Sequence, residues 1–292
     1  MSDHLSPRVL AWQSSGELVT VGGRRIFVRR ADGRGPLVAL LHGFPSSSYD
    51  WRGVLAGLTG RRVLALDFLG FGLSEKPSGE RNSLFGQADI VERLLADESG
   101  PVQIVAHDMG TSVAAELLAR DIEGQLGFTA AGALLFNGGM IVSLTSLTWA
   151  QRALRSPLGP AFARLSSRRV FVSQFGRLFS ATHPLAPDEA EDQWALWQRA
   201  GGARHADRLI TYIDERERHG ERWLGAVRDW PGELRFAWGM RDPVATVRVF
   251  DGLRTLRPSA PVLELRALGH YPQIEDPASI CDAIEALIGA RA

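Results

Sequence analysis

The 292-residue sequence predicts an α/β fold with a mostly parallel β-sheet and one helical insertion. Short apolar runs alternate with segments of helical spacing along most of the chain, which is typical of right-handed βαβ units. Residues 103–120 read as a strand, a tight turn and a helix. Strand signals fade between residues 140 and 230, where Trp, Leu and Arg recur at helical spacing. We therefore expect a core formed by 1–139 and 231–292, and a helical cap formed by 140–230.

Each predicted strand is a short apolar or β-rich run that ends in a loop of turn-forming residues. The first two runs flank Gly22-Gly23-Arg24 and predict a hairpin. The predicted strands are 17–22, 25–29, 36–41, 62–66, 103–106, 131–136, 234–238 and 262–265. The predicted helices of the core are 83–95, 113–120 and 278–288. Ligands bind at the carboxyl ends of such strands, so the candidate residues are those that directly follow them.

Composition and charge narrow the class of protein. Hydrophobic residues make up 45% of the chain and charged residues 23%, which predicts a sizeable core. The charges of 33 basic and 33 acidic residues cancel, so the net charge is zero. This argues against nucleic acid or an anionic membrane as the main partner. Cys281 is the only cysteine, so no disulfide framework is expected. Met1–His4 show no signal-peptide pattern, and no apolar run has membrane-spanning length. We expect a cytoplasmic protein, monomeric or homodimeric, that acts on a small hydrophobic molecule.

Asp108 stands at the tip of the predicted strand–turn–helix, and Gly110 keeps that turn narrow. This is the nucleophile position of an elbow, whose following backbone N–H points into the site. A carboxylate that attacks an ester gives a high-energy anhydride, whereas one that attacks an sp³ carbon gives an ester that water can hydrolyse. The residue type therefore favours an epoxide oxygen or a halide as leaving group. The alternative is that Asp108 only caps the following helix.

Two further residues follow predicted strands late in the chain. Asp242 follows the strand at 234–238, and His270 follows the last strand. With Asp108 they give the nucleophile–acid–histidine order of α/β hydrolases. His270 would activate water, and Asp242 would hold its tautomer and stabilise the imidazolium. The backbone N–H groups of Phe44 and Met109 would form the oxyanion hole.

Tyr212 is the one tyrosine of the predicted cap. Opening an epoxide leaves an alkoxide that needs a proton, and a tyrosine above the nucleophile could donate it. The alternative for Tyr212 is an aromatic contact in the core of the cap. Phe44, Trp149 and Tyr212 are the candidate substrate-binding residues, with packing as the alternative for Trp149.

Several other polar residues have structural explanations. We expect His42 and His107 to hydrogen-bond the turn backbone, and the Gly-rich loop 67–74 to be a braced turn beside the site. The mixed charges of Asp214–His219 predict a solvated helix face. The histidines of the insertion lack metal-ligand spacing, so neither a metal nor a cofactor is expected.

Five motifs together resemble the epoxide hydrolase and haloalkane dehalogenase branch of the α/β hydrolases. They are His42-Gly43-Phe44-Pro45, residues 67–74, His107-Asp108-Met109-Gly110, Arg241-Asp242-Pro243 and Gly269-His270. The stretches 41–51, 64–72 and 270–277 are similar in more detail to the mesoderm-specific-transcript homologues. The resemblance runs from roughly residue 20 to the C-terminus and implies the α/β-hydrolase fold, with an eight-stranded sheet and a helical cap over Asp108.

Departures from the family's patterns bear on the substrate. Haloalkane dehalogenases place a Trp after the nucleophile, and Asn or Trp elsewhere, to hold the halide, whereas Met109 and Phe44 here offer no side-chain donor. Fluoroacetate dehalogenases carry an Arg next to the nucleophile, a role that Met109 cannot fill. Asn137 cannot serve as the triad acid, which leaves Asp242. Epoxide hydrolases usually have two cap tyrosines, so the resemblance implies catalysis by Tyr212 alone or with another donor.

These residues predict an epoxide hydrolase that forms a vicinal diol. Asp108 attacks an oxirane carbon, Tyr212 assists departure of the oxygen, and His270 with Asp242 drives hydrolysis of the ester. A haloalkane or haloacid dehalogenase with the same nucleophile is the first alternative. A non-catalytic ligand-binding homologue is the second, because a fold and a motif do not establish turnover.

Overall fold

The computed structural model describes residues 5–77, 79 and 83–290, so Met1–His4, on which the expectation about a signal peptide depends, lie outside it. The described strands form one eight-stranded sheet in the order β1-β2-β4-β3-β5-β6-β7-β8. They are β1 (Glu17–Val21), β2 (Arg24–Ala31), β3 (Arg34–Leu41), β4 (Arg61–Leu66), β5 (Val102–His107), β6 (Ala130–Phe136), β7 (Glu233–Gly239) and β8 (Val262–Leu265). β2 pairs antiparallel with β1 and β4, and all other neighbours are parallel. The predicted fold class is confirmed.

The central strands are buried on both faces, which explains their uninterrupted apolar sequences. Every residue of β5 is buried, and in β3 only the first three residues are not. Parallel strands covered by helices on both sides show this pattern instead of alternation. Strands β2–β7 extend the predicted ones by one or two residues at one or both ends because ladder hydrogen bonds continue past the apolar run, whereas β1 ends one residue early and β8 has the predicted bounds.

Helices cover both faces of the sheet. The described helices are α1 (Pro7–Ser14), α2 (Arg52–Gly57), α3 (Leu84–Leu95), α4 (Met109–Ile122), α5 (Trp149–Arg155), α6 (Gly159–Leu165), α7 (Arg168–Gly176), α8 (Pro187–Gln198), α9 (Ala206–Leu209), α10 (Tyr212–Asp229), α11 (Val247–Leu256), α12 (Pro272–Glu275) and α13 (Pro277–Gly289). Residues of α3, α4 and α11 share one apolar core, and residues of α2 and α13 form a second core on the opposite face. In the described part of the chain, no helix is both long and apolar enough to span a membrane.

Helices α5–α10 occupy the segment between β6 and β7 where the sequence predicts a helical insertion. We call residues 140–230 the cap below; the division of the chain at these residues stays a prediction. The apolar sides of the cap helices join the core that also contains α3 and α4, through residues such as Phe171, Trp197 and Trp223. The longest cap helix, α10, packs on α4 and so reaches the turn at Asp108.

Candidate active site

Asp108 lies in the sharp turn between β5 and α4. Its backbone has φ 44° and ψ −109°, a conformation that costs a non-glycine residue on the order of 1–3 kcal/mol. The surrounding packing must maintain this strain, which is a property of functional turns. The Asp108 side chain makes no capping hydrogen bond to α4, so the alternative that it is only a helix cap is wrong.

Two glycines allow the backbone to approach this turn closely. A Cβ on Gly43 would lie 2.7 Å from the Asp108 Cβ. A Cβ on Gly110 would lie 2.6 Å from the carbonyl oxygen of Leu41 at the end of β3. The narrow turn expected at Gly110 is therefore required by the neighbouring strand.

The Asp108 carboxylate is held by the loop that follows β3. The backbone N–H of Phe44 donates to Asp108 Oδ2 at 2.9 Å, and Asp108 is only 4% exposed. This N–H is one of the two predicted oxyanion donors. Met109, the other, is buried and is the first residue of α4, directly after the turn. Oδ2 thus lies at the predicted oxyanion donor, whereas Oδ1 does not bond this N–H.

His270 and Asp242 form a buried pair at the ends of the last two strands. His270 Nδ1 lies 2.7 Å from Asp242 Oδ2, while Asp242 Oδ1 accepts from the backbone N–H groups of Val244 and Ala245 at 2.7 and 3.0 Å. The structure therefore joins two of the three predicted triad residues directly. The backbone hydrogen bonds fix the carboxylate, and the carboxylate orients the imidazole.

Asn137 anchors Asp242 from the end of β6. Its side-chain N–H donates to Asp242 Oδ2 at 2.7 Å, and its side-chain oxygen accepts from the Gly239 N–H at 2.9 Å. Asn137 has φ 46°, the left-handed region that Asn tolerates. Sequence reasoning only excluded Asn137 as the triad acid; the structure gives it a positioning role.

The pKa of His270 is raised above its ordinary value. Burial of the ring lowers this pKa, but the charge and hydrogen bond of Asp242, with a contribution from the charge of Asp108, more than offset burial. Asp108 therefore lies close enough to His270 for its charge to favour the imidazolium.

Tyr212 lies beside the nucleophile at the start of α10. It is 1% exposed, and its ring centroid is 5.7 Å from that of Phe44. Burial raises the pKa of its phenol, and the negative charge of Asp108 raises it further, whereas the charge of Arg216 lowers it. The structure thus places Tyr212 next to Phe44 and Asp108, and the raised pKa means that its phenol is protonated.

Arg216 is the residue that sequence reasoning missed. Its guanidinium donates to the Asp108 carbonyl oxygen at 2.6 Å and to Ser112 Oγ at 2.7 Å. It lies 3.7 Å from Asp108 Oδ1 and 4.7 Å from the centre of the Tyr212 ring. The charge cluster Asp214–His219 predicts a solvated face, but Arg216 is only 4% exposed, so that prediction is wrong at this position.

The position of Arg216 on α10 carried a signal for its burial. Arg216 lies four residues after Tyr212 and seven before Trp223, on the stripe of the helix that faces α4. A cation on an apolar stripe requires a buried anion or carbonyl partner. The partner here is the turn that bears the nucleophile.

A narrow apolar cleft of about 90 Å³ opens between the cap and His270. Its walls include Phe44, Val244, Leu154, Phe162, Phe171, Phe175 and Trp197. Trp149, predicted to bind substrate, is not among the residues that line it. The Trp149 side chain is 47% exposed and packs edge-on against Phe162, because its position on α5 turns it outward. We therefore do not assign Trp149 to the substrate site.

The remaining polar residues near the site brace the turns, as expected. His42 bonds the Gly43 carbonyl and the Phe68 N–H, and His107 bonds the His270 carbonyl and Gln273. Burial lowers the pKa of both rings, which keeps them neutral. Asp67 accepts from Ser48 and Leu73 and closes the Gly-rich loop. Among the described residues, no group of His, Cys, Asp and Glu is arranged to hold a metal ion.

The elbow, the buried acid–histidine pair and the eight-stranded sheet define the class of protein as an α/β hydrolase. A family model described as the alpha/beta hydrolase family matches residues 38–283, and the chain belongs to this family. It is 51% identical over 284 residues to the Mycobacterium tuberculosis protein named Putative hydrolase LipZ, covering 97% of this chain and 99% of that protein. It is 36% identical over 299 residues to the mesoderm-specific transcript homolog protein of Homo sapiens, covering 98% and 89%. The resemblance to these homologues is confirmed.

Solved structures agree on the fold. The haloalkane dehalogenase DatA from Agrobacterium tumefaciens C58 matches with a TM-score of 0.78 and 20% identity, covering 95% of this chain and 97% of that one. The epoxide hydrolase CorEH matches with a TM-score of 0.75 and 16% identity, covering 95% and 99%. At these identities the two structures share the fold with this chain, and the activity must be argued from the site.

Proposed function

We propose that the protein is an epoxide hydrolase that converts a small apolar epoxide into a vicinal diol. The observation that carries this proposal is the Asp108 carboxylate, held on the Phe44 N–H at the tip of a strained turn. His270 and Tyr212 both lie close enough for the charge of Asp108 to shift their pKa values. The site therefore has a nucleophile, a base and a proton donor around one point.

In the first step Asp108 Oδ1 attacks an oxirane carbon, and the bond from that carbon to the ring oxygen breaks. The ring oxygen takes the phenolic proton of Tyr212, which leaves a hydroxyalkyl ester on Asp108. Arg216, stacked against the Tyr212 ring, stabilises the phenolate that results. The raised pKa of Tyr212 keeps the phenol protonated until the ring opens, and the alkoxide that forms is basic enough to take this proton.

In the second step His270 removes a proton from water, and the water oxygen attacks the Asp108 carbonyl carbon. Negative charge develops on Oδ2, where the Phe44 N–H already points. Asp242 accepts the Nδ1–H of His270 and stabilises the imidazolium. Collapse of the intermediate breaks the ester bond, and the departing diol oxygen takes the proton from His270. Asp108 is left as a carboxylic acid that loses its proton to the solvent, and the Tyr212 phenolate takes one proton from the solvent.

The leaving group is an epoxide oxygen rather than a halide because of the donors that surround the nucleophile. Phe44 and Met109 carry no side-chain N–H or O–H for a halide. Tyr212 offers a proton, which an alkoxide needs and a halide does not. The narrow apolar cleft favours a compact hydrophobic substrate.

The experiment that tests this function follows an ¹⁸O label through one turnover. Excess enzyme is mixed with styrene oxide in ¹⁸O-water, and the diol and the peptide containing Asp108 are analysed by mass spectrometry. Because water attacks the enzyme ester, the first diol carries unlabelled oxygen from Asp108, and the label is retained in Asp108. A label that enters the diol directly would contradict the covalent mechanism.

Variants complete this test. His270→Gln should accumulate the ester on Asp108, and Asp108→Asn should form none, with folding checked by circular dichroism. Parallel reactions with 1-bromobutane distinguish the dehalogenase: halide release without diol formation from epoxides would replace the proposed function. No adduct from either substrate class would identify a binding protein.

A further inference from the structure

Helix α6 of the cap presents an apolar stripe to solvent. Leu158 and Leu165 are 74% and 81% exposed and are the most exposed large hydrophobic residues in the described chain, where the next is 50%. Leu158, Ala161 and Leu165 have the spacing i, i+3, i+7, so they share one side of the helix, and Ala161 is also exposed. Trp149 adjoins this stripe through its contact with Phe162. We call Trp149, Leu158, Ala161 and Leu165 the α6 patch.

The segment of the chain that carries the α6 patch is rich in arginine. Residues 149–169 contain five arginines and neither Asp nor Glu, although basic and acidic residues balance over the whole chain. The exposed members are Arg152, Arg164, Arg168 and Arg169. Within the described residues, Arg168 pairs with Glu191 on the surface, and Arg155 pairs with Asp214 and Glu217.

The same side of the cap contains a cavity of about 640 Å³, lined by four arginines and by Asp207 and Asp214. Pro157, Pro160 and Arg164 form one wall, and Arg204 and Arg208 lie across from it. His205 also lines this cavity; burial and the charges of Arg208, Arg164 and Arg204 lower its pKa, and the charge of Asp207 raises it. Arginines thus outnumber acidic residues in this lining next to the α6 patch.

The α6 patch also borders the apolar cleft. Phe162, on α6 next to the patch, lines the cleft, as do Ser166 directly after α6 and Val170 on α7. A hydrophobic molecule that leaves a lipid phase at the patch would have to move past only α6 to reach the cleft. The patch is thus placed between a hydrophobic environment and the site.

We propose that the α6 patch docks on the surface of an anionic lipid bilayer. Leucine and tryptophan side chains enter the acyl boundary, while the surrounding arginines bind lipid phosphates. A second copy of this chain fits the same face poorly, because a two-fold dimer would place these arginines against themselves. The sequence-based expectation is that a chain of zero net charge avoids anionic membranes; the proposed docking depends instead on the local excess of arginine in residues 149–169.

Vesicle co-sedimentation of the full chain tests the docking. Vesicles of phosphatidylcholine with about one third phosphatidylglycerol are compared with phosphatidylcholine alone, at low and high salt. We expect binding to the anionic vesicles that weakens with salt. The Leu158→Ser/Leu165→Ser variant should lose at least about tenfold in vesicle affinity, and Arg164→Gln/Arg169→Gln should lose the preference for anionic lipid.

The matched control is Leu10→Ser/Leu18→Ser, since these leucines are 50% and 42% exposed on α1 and β1, away from the patch. This variant should bind vesicles like the original protein. No binding to either vesicle, or an equal loss in the control, overturns the proposal. A dimer in light scattering that Leu158→Ser/Leu165→Ser dissociates, without vesicle binding, assigns the patch to self-association instead. Vesicle binding requires no turnover, so its failure leaves the epoxide hydrolase proposal untouched.

Discussion

The core and the cap contribute to the site in different ways. The core holds Asp108, Asp242 and His270 through short hydrogen bonds from strand ends and loops, as in the bonds from Phe44 and Asn137. The cap contributes Tyr212 and Arg216 from a single helix, α10. In the proposed reaction the pair that activates water therefore lies within the core, whereas stabilisation of the charge on the leaving group depends on how α10 packs on α4. Core variants should stop ester hydrolysis for any substrate, and cap variants should slow the first step in a substrate-dependent way.

The largest effect is expected for Asp242→Asn in the core. An amide N–H at this position can donate to His270 Nδ1, which favours the wrong tautomer of the imidazole. It would also face the side-chain N–H of Asn137, which donates to Asp242 in the original protein. Hydrolysis of the enzyme ester should fall roughly 10⁴-fold while the ester still forms. Rapid-quench mass spectrometry measures both rates. The control is Asp251→Asn, an exposed Asp on α11. A loss below about tenfold would remove Asp242 from the triad.

Arg216→Gln in the cap should produce the next largest effect. The change removes the cation beside Asp108 and leaves the Asp108 carbonyl and Ser112 without this donor. We expect ester formation to slow about 10²-fold, with partial recovery in Arg216→Lys because the charge returns. Stopped-flow tryptophan fluorescence follows this step.

Arg222→Gln is the matched control for Arg216. Arg222 lies on the same helix and pairs with Glu116 and Glu123 away from the nucleophile. It should retain the rate of ester formation. If Arg222→Gln slows this step as much as Arg216→Gln does, the loss of rate is caused by weaker packing of α10 on α4 and not by loss of the cation beside Asp108.

Tyr212→Phe should have a smaller effect that depends on the substrate. Loss of the phenol removes the proton donor, so ester formation from an epoxide should slow about 10–100-fold. Any reaction with an alkyl bromide should be unchanged, because a halide leaves without a proton. Tyr49→Phe is the control, since the Tyr49 hydroxyl bonds Asp192 outside the site. Equal slowing of both substrate classes would point to packing as the role of Tyr212.

Asp50→Asn should leave turnover unchanged and alter stability. Asp50 is a buried core residue that accepts from Ser46 and from Gln193 of the cap. The pKa of Asp50 is raised from an ordinary 3.8 to about 7; burial is the main cause and the charge of Glu189 adds to it, while Ser46, Gln193 and Arg52 oppose it. The folded state therefore binds this proton more tightly, so the contribution of Asp50 to stability falls as pH rises from about 4 to 7.

The amide in Asp50→Asn avoids this loss. The variant should match the original protein near pH 4 and exceed it above pH 7, by up to roughly 4 kcal/mol for a pKa difference of this size. Urea denaturation at several pH values measures the difference. Asp251→Asn should show no such trend. A constant difference across pH would mean that Asp50 does not titrate in the folded state.

The sheet and the order of the site residues could be predicted because they depend on local sequence. A strand buried on both faces must be apolar throughout, so β3–β6 are visible as short runs that end in Gly, Asp, His or Asn. The carboxyl ends of parallel strands lie at one edge of the sheet. The sequence therefore predicts that Asp108, Asp242 and His270, which each follow a strand, belong to one site. Trp149 was misplaced because its local spacing does not reveal which side of α5 faces the cleft.

By itself the sequence determined the α/β fold, the carboxylate at the elbow and the order of the acid and the histidine, since each depends on short-range pattern. Only the tertiary structure decided which side chains of the cap turn inward. It placed Arg216 on a turn 108 positions earlier in the chain, and it left Leu158 and Leu165 in solvent. The physical reason is that burial depends on which helix faces meet, and helix packing joins residues that are distant along the chain.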